Sequence, residues 1–151
     1  MILNRQHEVR VARGPLESFL GRVKRELGLN QSEVTVCLIS NRAMARLNQN
    51  FRKKKGPTDV LSFPAVVRNR PIRLRRKSRA TNSANHEFLG DIAISPATAR
   101  RYAKKNRCRL ASELRALILH GVLHLLGYDH ETDHGEMDAT EQRLRKRFGL
   151  T

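Results

Sequence analysis

Carboxylates are scarce in this chain. Against 30 lysines and arginines it carries 14 aspartates and glutamates, a formal net charge of +16 over 151 residues. Solubility needs far less, and such a field attracts polyanions and speeds their capture. Nucleic acid is the favoured partner and an anionic membrane surface the rival. Long apolar stretches are missing as well: no run of about 18 apolar residues exists to span a bilayer. The opening Met1-Ile2-Leu3-Asn4-Arg5 lacks the apolar core of a signal peptide. Cysteine is limited to Cys37 and Cys108, which form no metal-binding pair in sequence. Cys37 lies in an apolar, strand-like run and reads as a small buried hydrophobe. Nothing demands a disulfide, which suits a reducing cytoplasm. Aromatics make up only 5%, yet 39% hydrophobic residues suffice for a core, and residues 1–151 are expected to form one domain.

What the chain does have is a histidine cluster, His120-Gly121-Val122-Leu123-His124-Leu125-Leu126-Gly127-Tyr128-Asp129-His130. Residues four apart share one face of a helix, so His120 and His124 can address one atom. Gly127 suits the left-handed turn that ends such a helix, after which His130 can return a third nitrogen. Three imidazoles with an open fourth position are what a catalytic zinc site requires. The bland alternative is that the histidines pack or cap a helix. The spacing copies the metzincin pattern H-E-x-x-H-x-x-G-x-x-H with Gly121 where the protease carries its general base. A frame for one zinc is present and the peptidase base is absent.

Along the chain, residues 7–12 alternate as a short strand with Val9 and Val11 on one face. Pro15 suits a helix's first turn, and Leu16, Phe19, Leu20, Val23 and Leu27 form a stripe closed by Gly28. Residues 34–39 are a β-branched strand. Ser40 or Asn41 caps a helix that turns Met44 and Leu47 inward and ends near Asn50. A basic loop leads to a strand at 58–63, stopped by Pro64. After a strand at 89–94, Ser95-Pro96 opens a helix through Ala97, Ala99 and Tyr102, with Arg100, Arg101, Lys104 and Lys105 outward. A helix from about Ala111 or Ser112 runs into the histidines, and a last one, about 134–148, turns Met137, Leu144 and Phe148 inward. This order predicts an α+β fold, a mixed sheet of four strands packed with about five helices.

Between Val66 and Glu87 the chain changes character. Arg68, Arg70, Arg73, Arg75, Arg76, Lys77 and Arg79 crowd together ahead of a polar stretch. A solvated charge run is the ordinary reading of such a segment. Like charges this dense repel, however, and a polyanion relieves them, so Arg73, Arg75, Arg76 and Arg79 are RNA-binding candidates together with Arg52, Lys53 and Lys54.

Four segments in this order resemble the YbeY family of rRNA-maturation endoribonucleases: Asn50-Phe51-Arg52 with Pro57-Thr58-Asp59-Val60-Leu61-Ser62-Phe63-Pro64, then Leu89-Gly90-Asp91-Ile92, then the histidine cluster. A tail of Glu136-Met137 with Glu141 is similar too. The resemblance implies that His120, His124 and His130 bind zinc and that Arg52 is needed for activity. It also implies a sheet with one antiparallel strand, a metal site in a basic cleft, and single-strand-directed cleavage of RNA. Ribosomal RNA and the small ribosomal subunit are the partners it implies, in 3′-end maturation and ribosome quality control. Two departures stand out: Lys55 occupies a position where the family usually has aspartate, and the loop before Glu87 is unusually rich in arginine.

Zinc suits an all-imidazole site, and Arg52 can pair with phosphate through two parallel hydrogen bonds. Catalysis is accordingly assigned to Arg52 and, through the metal, His120. No residue obviously replaces the missing base. Asp129 can orient a histidine, act as base or cap the turn; Asp59 and Asp91 can line the cleft or bond in turns. His134 reads as surface, and His86 has no evident partner. Three readings stay open: a zinc endoribonuclease, a metal-dependent hydrolase of another substrate class, and a ribosome-associated RNA-binding protein with structural zinc. Gly121 and the +16 charge argue against the second.

Overall fold

A computed structural model describes residues 1–65, 87–129, 131 and 133–150. Among these the chain forms β1 (Ile2–Asn4), α1 (Arg13–Glu26), β2 (Ser32–Leu38), α2 (Asn41–Arg52), β3 (Val60–Pro64), β4 (Glu87–Ile94), α3 (Pro96–Lys105), α4 (Leu110–Leu125) and α5 (Glu136–Arg147). The fold is α+β, with five helices and a mixed four-stranded sheet ordered β1-β2-β4-β3. β1 and β4 run parallel to β2, and β3 is the one antiparallel strand, lying at the edge beside β4.

Alternation along the strands divides the core into two layers. Val34, Val36 and Leu38 of β2 and Ile92 and Ile94 of β4 join the large cluster, with α1, α3, α4 and α5. Ala93 and Leu61 face the other way, where Met44 of α2 and Ile39 complete a small cluster. β3 divides likewise: Leu61 and Phe63 belong to the α2 side, while Ser62 bonds to α4. An edge strand between two helical layers is thus reachable from both, and this positions the site.

The strand expected at residues 7–12 is not formed. Gln6, buried among the core residues, donates through Nε2 to the Val9 carbonyl at 2.8 Å and accepts from the Val9 N–H at 2.9 Å. A side chain therefore satisfies the backbone groups that a ladder would have used, and Val9 is drawn into the core singly. The strand is Ile2–Asn4 instead, held by Ile2 opposite Val36. Three residues are too few to display a period of two.

Elsewhere the boundaries shift only slightly. Ser40 caps α2 by accepting from the Ala43 N–H, and Ser95 caps α3 on Thr98 with Pro96 in its first turn. Pro64 is the last residue of β3 rather than its stop, a place open to proline because the strand is at the edge. Ala99 and Ala103 are the buried face of α3, and Tyr102 points outward. Cys37 is half-buried beside the small cluster rather than fully enclosed; burial pushes its thiol pKa up, Arg5 opposing and Asp91 adding to the shift. No helix among the described residues is long and apolar enough to cross a membrane.

Candidate active site on the edge of the sheet

α4 packs its apolar residues against the sheet and carries His120 and His124 one turn apart, both half-buried. Their Nε2 atoms lie 3.0 Å from each other. The opposite ring nitrogens are engaged by acceptors. His120 Nδ1 lies 3.1 Å from Oε2 of Glu141, and His124 Nδ1 lies 2.9 Å from the backbone carbonyl of Tyr128. A carbonyl only accepts, so His124 donates from Nδ1; an ionised Glu141 imposes the same choice on His120. With Nδ1 so engaged, the two Nε2 atoms are directed at one point, as in metal-ligating histidines whose second nitrogen is held.

Gly127 makes the Tyr128 carbonyl available. α4 ends in a reverse turn in which the Gly127 N–H donates to the His124 carbonyl and the Tyr128 N–H to that of Leu123, with Gly127 at φ 94°. The helix terminus thereby folds one of its own carbonyls back beneath its last histidine.

Glu141 is held by α5. Met137, Glu141 and Leu144 are the buried residues of that helix, so the carboxylate stands within an apolar stripe, and Arg145 lies 3.5 Å from its other oxygen. Sequence reasoning noted Glu141 only as part of a similar tail. Its signal was legible: an acidic residue among Met137, Leu144 and Phe148 on an inward face must find a partner or raise the cost of burial.

Gly121 faces the sheet. A Cβ there would lie 2.8 Å from both Cδ1 and Cγ2 of Ile92, and the Gly121 carbonyl accepts from Ser62 Oγ at 3.3 Å. The absence of a protease-like glutamate thus has a packing reason, since α4 approaches β4 too closely for a side chain. Gly121→Val is expected to lose about 2–3 kcal/mol, because Ile92 is fully buried and cannot step aside without strain. At roughly 2–4 °C per kcal/mol for a chain of this size, the melting midpoint should fall by about 4–12 °C. An unchanged midpoint in calorimetry would show that the helix simply moves outward.

A groove of about 770 Å³ opens at the histidines, lined also by Phe51, Arg52, residues 58–64, Gly127, Tyr128 and Asp129. Arg52 is the last residue of α2, followed by Lys53 in a left-handed cap (φ 53°). Buried Asn48 donates from Nδ2 to the Gly56 carbonyl at 2.9 Å, tying the basic turn back to its helix. The fold thus brings Arg52, His120 and His124 to one groove. Lys53 and Lys54 are exposed and are not among its lining residues. His130, Arg73, Arg75, Arg76 and Arg79 lie outside the described residues, as do Arg68, Arg70 and His86.

The acidic candidates separate. Asp59 lines the groove, whereas Asp91 is exposed on β4 and does not. Asp129 lines it too, but its Oδ1 accepts from the Glu131 N–H at 3.0 Å, the hydrogen bond of a turn. Glu141 and the Tyr128 carbonyl orient His120 and His124, while His130, the histidine beside Asp129, lies outside the described residues. His134 is exposed, as expected.

The family model described as endoribonuclease YbeY matches residues 2–149. The chain belongs to the endoribonuclease YbeY family. A YbeY relative from Koribacter versatilis is 40% identical over 150 residues, covering 99% of this chain and 86% of the relative. Another, from Aquifex aeolicus, is 36% identical over 122 residues, 81% of this chain and 72% of its own. Both are named endoribonuclease YbeY. A Thermotoga maritima protein solved in solution shares the fold with a TM-score of 0.63 at 25% identity, covering 99% of this chain and 90% of that one. YbeY membership supports an RNA-cleaving hydrolase, and three of the four YbeY-like segments noted in the sequence, 50–52, 57–64 and the histidine cluster, contribute residues to the groove.

Proposed function

We propose that this chain is a zinc-dependent, single-strand-directed endoribonuclease that matures ribosomal RNA at the 3′ end of the small-subunit RNA and serves ribosome quality control. The observation that carries the reading is the convergence of two oriented imidazoles on an open groove that also holds Arg52. Tetrahedral zinc with bonds of about 2.0–2.1 Å sets two nitrogen donors about 3.3 Å apart, close to the 3.0 Å between these Nε2 atoms. The donor chemistry fits one zinc per chain, held by His120 and His124 with His130 as the third ligand. Bound there, zinc would supply a Lewis acid and bring the pKa of water down to about 7.

The protein's own contribution is orientation and charge. Glu141 and the Tyr128 carbonyl hold protons on the two Nδ1 atoms and fix both rings. Arg52 offers the extra negative charge of a pentavalent phosphorus two donors in a fixed plane. The +16 field draws the polyanion in and sets its ground-state affinity. The partners implied are ribosomal RNA and the small subunit.

The deciding experiment is cleavage of purified rRNA precursor by zinc-loaded protein, with a His120→Ala, His124→Ala preparation purified in parallel. Cleavage by the wild type alone supports the reading. Equal cleavage by both preparations identifies a contaminant and removes it.

Two further outcomes follow from the same assignment. Glu141→Gln retains the shape but removes the negative charge behind His120, and zinc affinity should drop about 10–100-fold in a chelator competition. Equal affinity would leave Glu141 with a packing role only. Replacing Arg73, Arg75, Arg76 and Arg79 together by glutamine should weaken RNA binding, make the slope of log affinity against log salt shallower by up to about four counterions, and leave zinc content alone. An unchanged slope would return that segment to the status of a solvated run.

A further inference from the structure

Phe51 stands in the groove with 65% of its surface exposed, the highest value among the large hydrophobic side chains there. Single exposed aromatics are ordinary on protein surfaces. This one differs in its setting. It immediately precedes Arg52, and its ring meets that of Phe63 at a centroid distance of 5.1 Å and an interplanar angle of 72°. Phe63 belongs to the edge strand and lines the same groove. The ring is therefore steadied by a partner on the edge strand while most of its surface stays exposed.

We propose that Phe51 is a stacking platform for an unpaired RNA base, and that it makes the groove select single strands. The inference rests on the nuclease reading of the site and adds the part of the substrate recognised. Charge draws any polyanion equally, paired or unpaired, so the +16 field gives no preference for single strands. A base in a duplex already has both faces covered, whereas an unpaired base can cover an aromatic ring whatever its identity. Arg52 beside the ring would take a phosphate while Phe51 takes a base, fixing the strand's register before the histidines.

The chain contains no tryptophan, so Phe51→Trp would introduce a unique fluorophore at the proposed platform. A short unstructured RNA is expected to quench its emission strongly, and inorganic polyphosphate at matched charge is expected not to. Quenching by neither, or equally by both, overturns the proposal. The companion variant Phe51→Leu keeps an apolar side chain without a stacking face, at a site exposed enough to spare the fold. Its affinity for the single strand should fall about five- to a hundredfold at fixed salt while affinity for a duplex stays put. Unchanged single-strand affinity, or equal losses for both, also overturns it. Cleavage assays keep the two ideas apart. Base-dependent quenching in a protein that cuts no RNA would refute the nuclease and leave the platform standing. Cleavage without quenching would do the reverse.

Discussion

His124→Ala is expected to empty the zinc site and abolish RNA cleavage together. The imidazole does two jobs: its Nε2 points with that of His120 at one position, and its Nδ1 closes onto the Tyr128 carbonyl. Structural zinc sites bind with about 10–16 kcal/mol, so each ligand of four represents about 2.5–4 kcal/mol. Losing one should cost roughly a hundred- to a thousandfold in affinity. Metal analysis after dialysis against a weak chelator should find about one zinc per wild-type chain and almost none in the variant. Full occupancy in His124→Ala would sink the assigned ligand set. Loss of zinc with cleavage intact would show that cleavage does not need the metal. The melting midpoint should be compared with both proteins metal-free, because a bound ligand raises it by mass action alone.

The second large effect is at Arg52. Arg52→Lys should cleave about ten- to a hundredfold more slowly while binding RNA nearly as well. Holding the ground-state backbone needs only charge, which lysine supplies and which Lys53 and Lys54 supply beside it. Stabilising the additional charge of the transition state needs donors fixed on two oxygens at once, and one ammonium cannot match a planar guanidinium there. A charge-assisted hydrogen bond of this kind is worth roughly 1.5–3 kcal/mol, which gives that range of rates. Single-turnover cleavage at saturating enzyme isolates the step, since binding differences then drop out. A wild-type rate under those conditions would make Arg52 a binding residue and move the search for the catalytic cation to Lys54 and the arginine-rich segment.

The parts of the fold written in local pattern were the legible ones. The i, i+4 histidines, the apolar stripes of α1 and α4, the β-branched run of β2 and the glycine turn at Gly127 each depend on neighbours within a few residues. What could not be read was settled by distant partners. The first strand owes its position to Val36, more than thirty residues away, and the alternating valines lost theirs to one glutamine side chain. In the site, Asp129 drew attention because it is adjacent in sequence to His130, which lies outside the described residues; its Oδ1 bonds within its own turn. Glu141, on another helix, orients His120, and that pairing is not a local property. Gly121 read as the loss of a catalytic base; it is equally a contact between α4 and Ile92, which only the packed structure reveals. The proximity of Arg52 to the groove depends on β3 being the edge strand, and sheet order is not a local property.

The bond between His120 and Glu141 joins residues 21 apart in the chain, and that interval has a meaning in time. Both histidines gain their spacing as soon as α4 coils. The group that selects the proton position on His120 is synthesised later, and acts only once α5 has docked through Met137 and Leu144. Until then the first imidazole can rotate, so a chain whose α5 has not docked carries both histidines of α4 without fixing the first. Docking of α5 is thereby the step that readies the first imidazole.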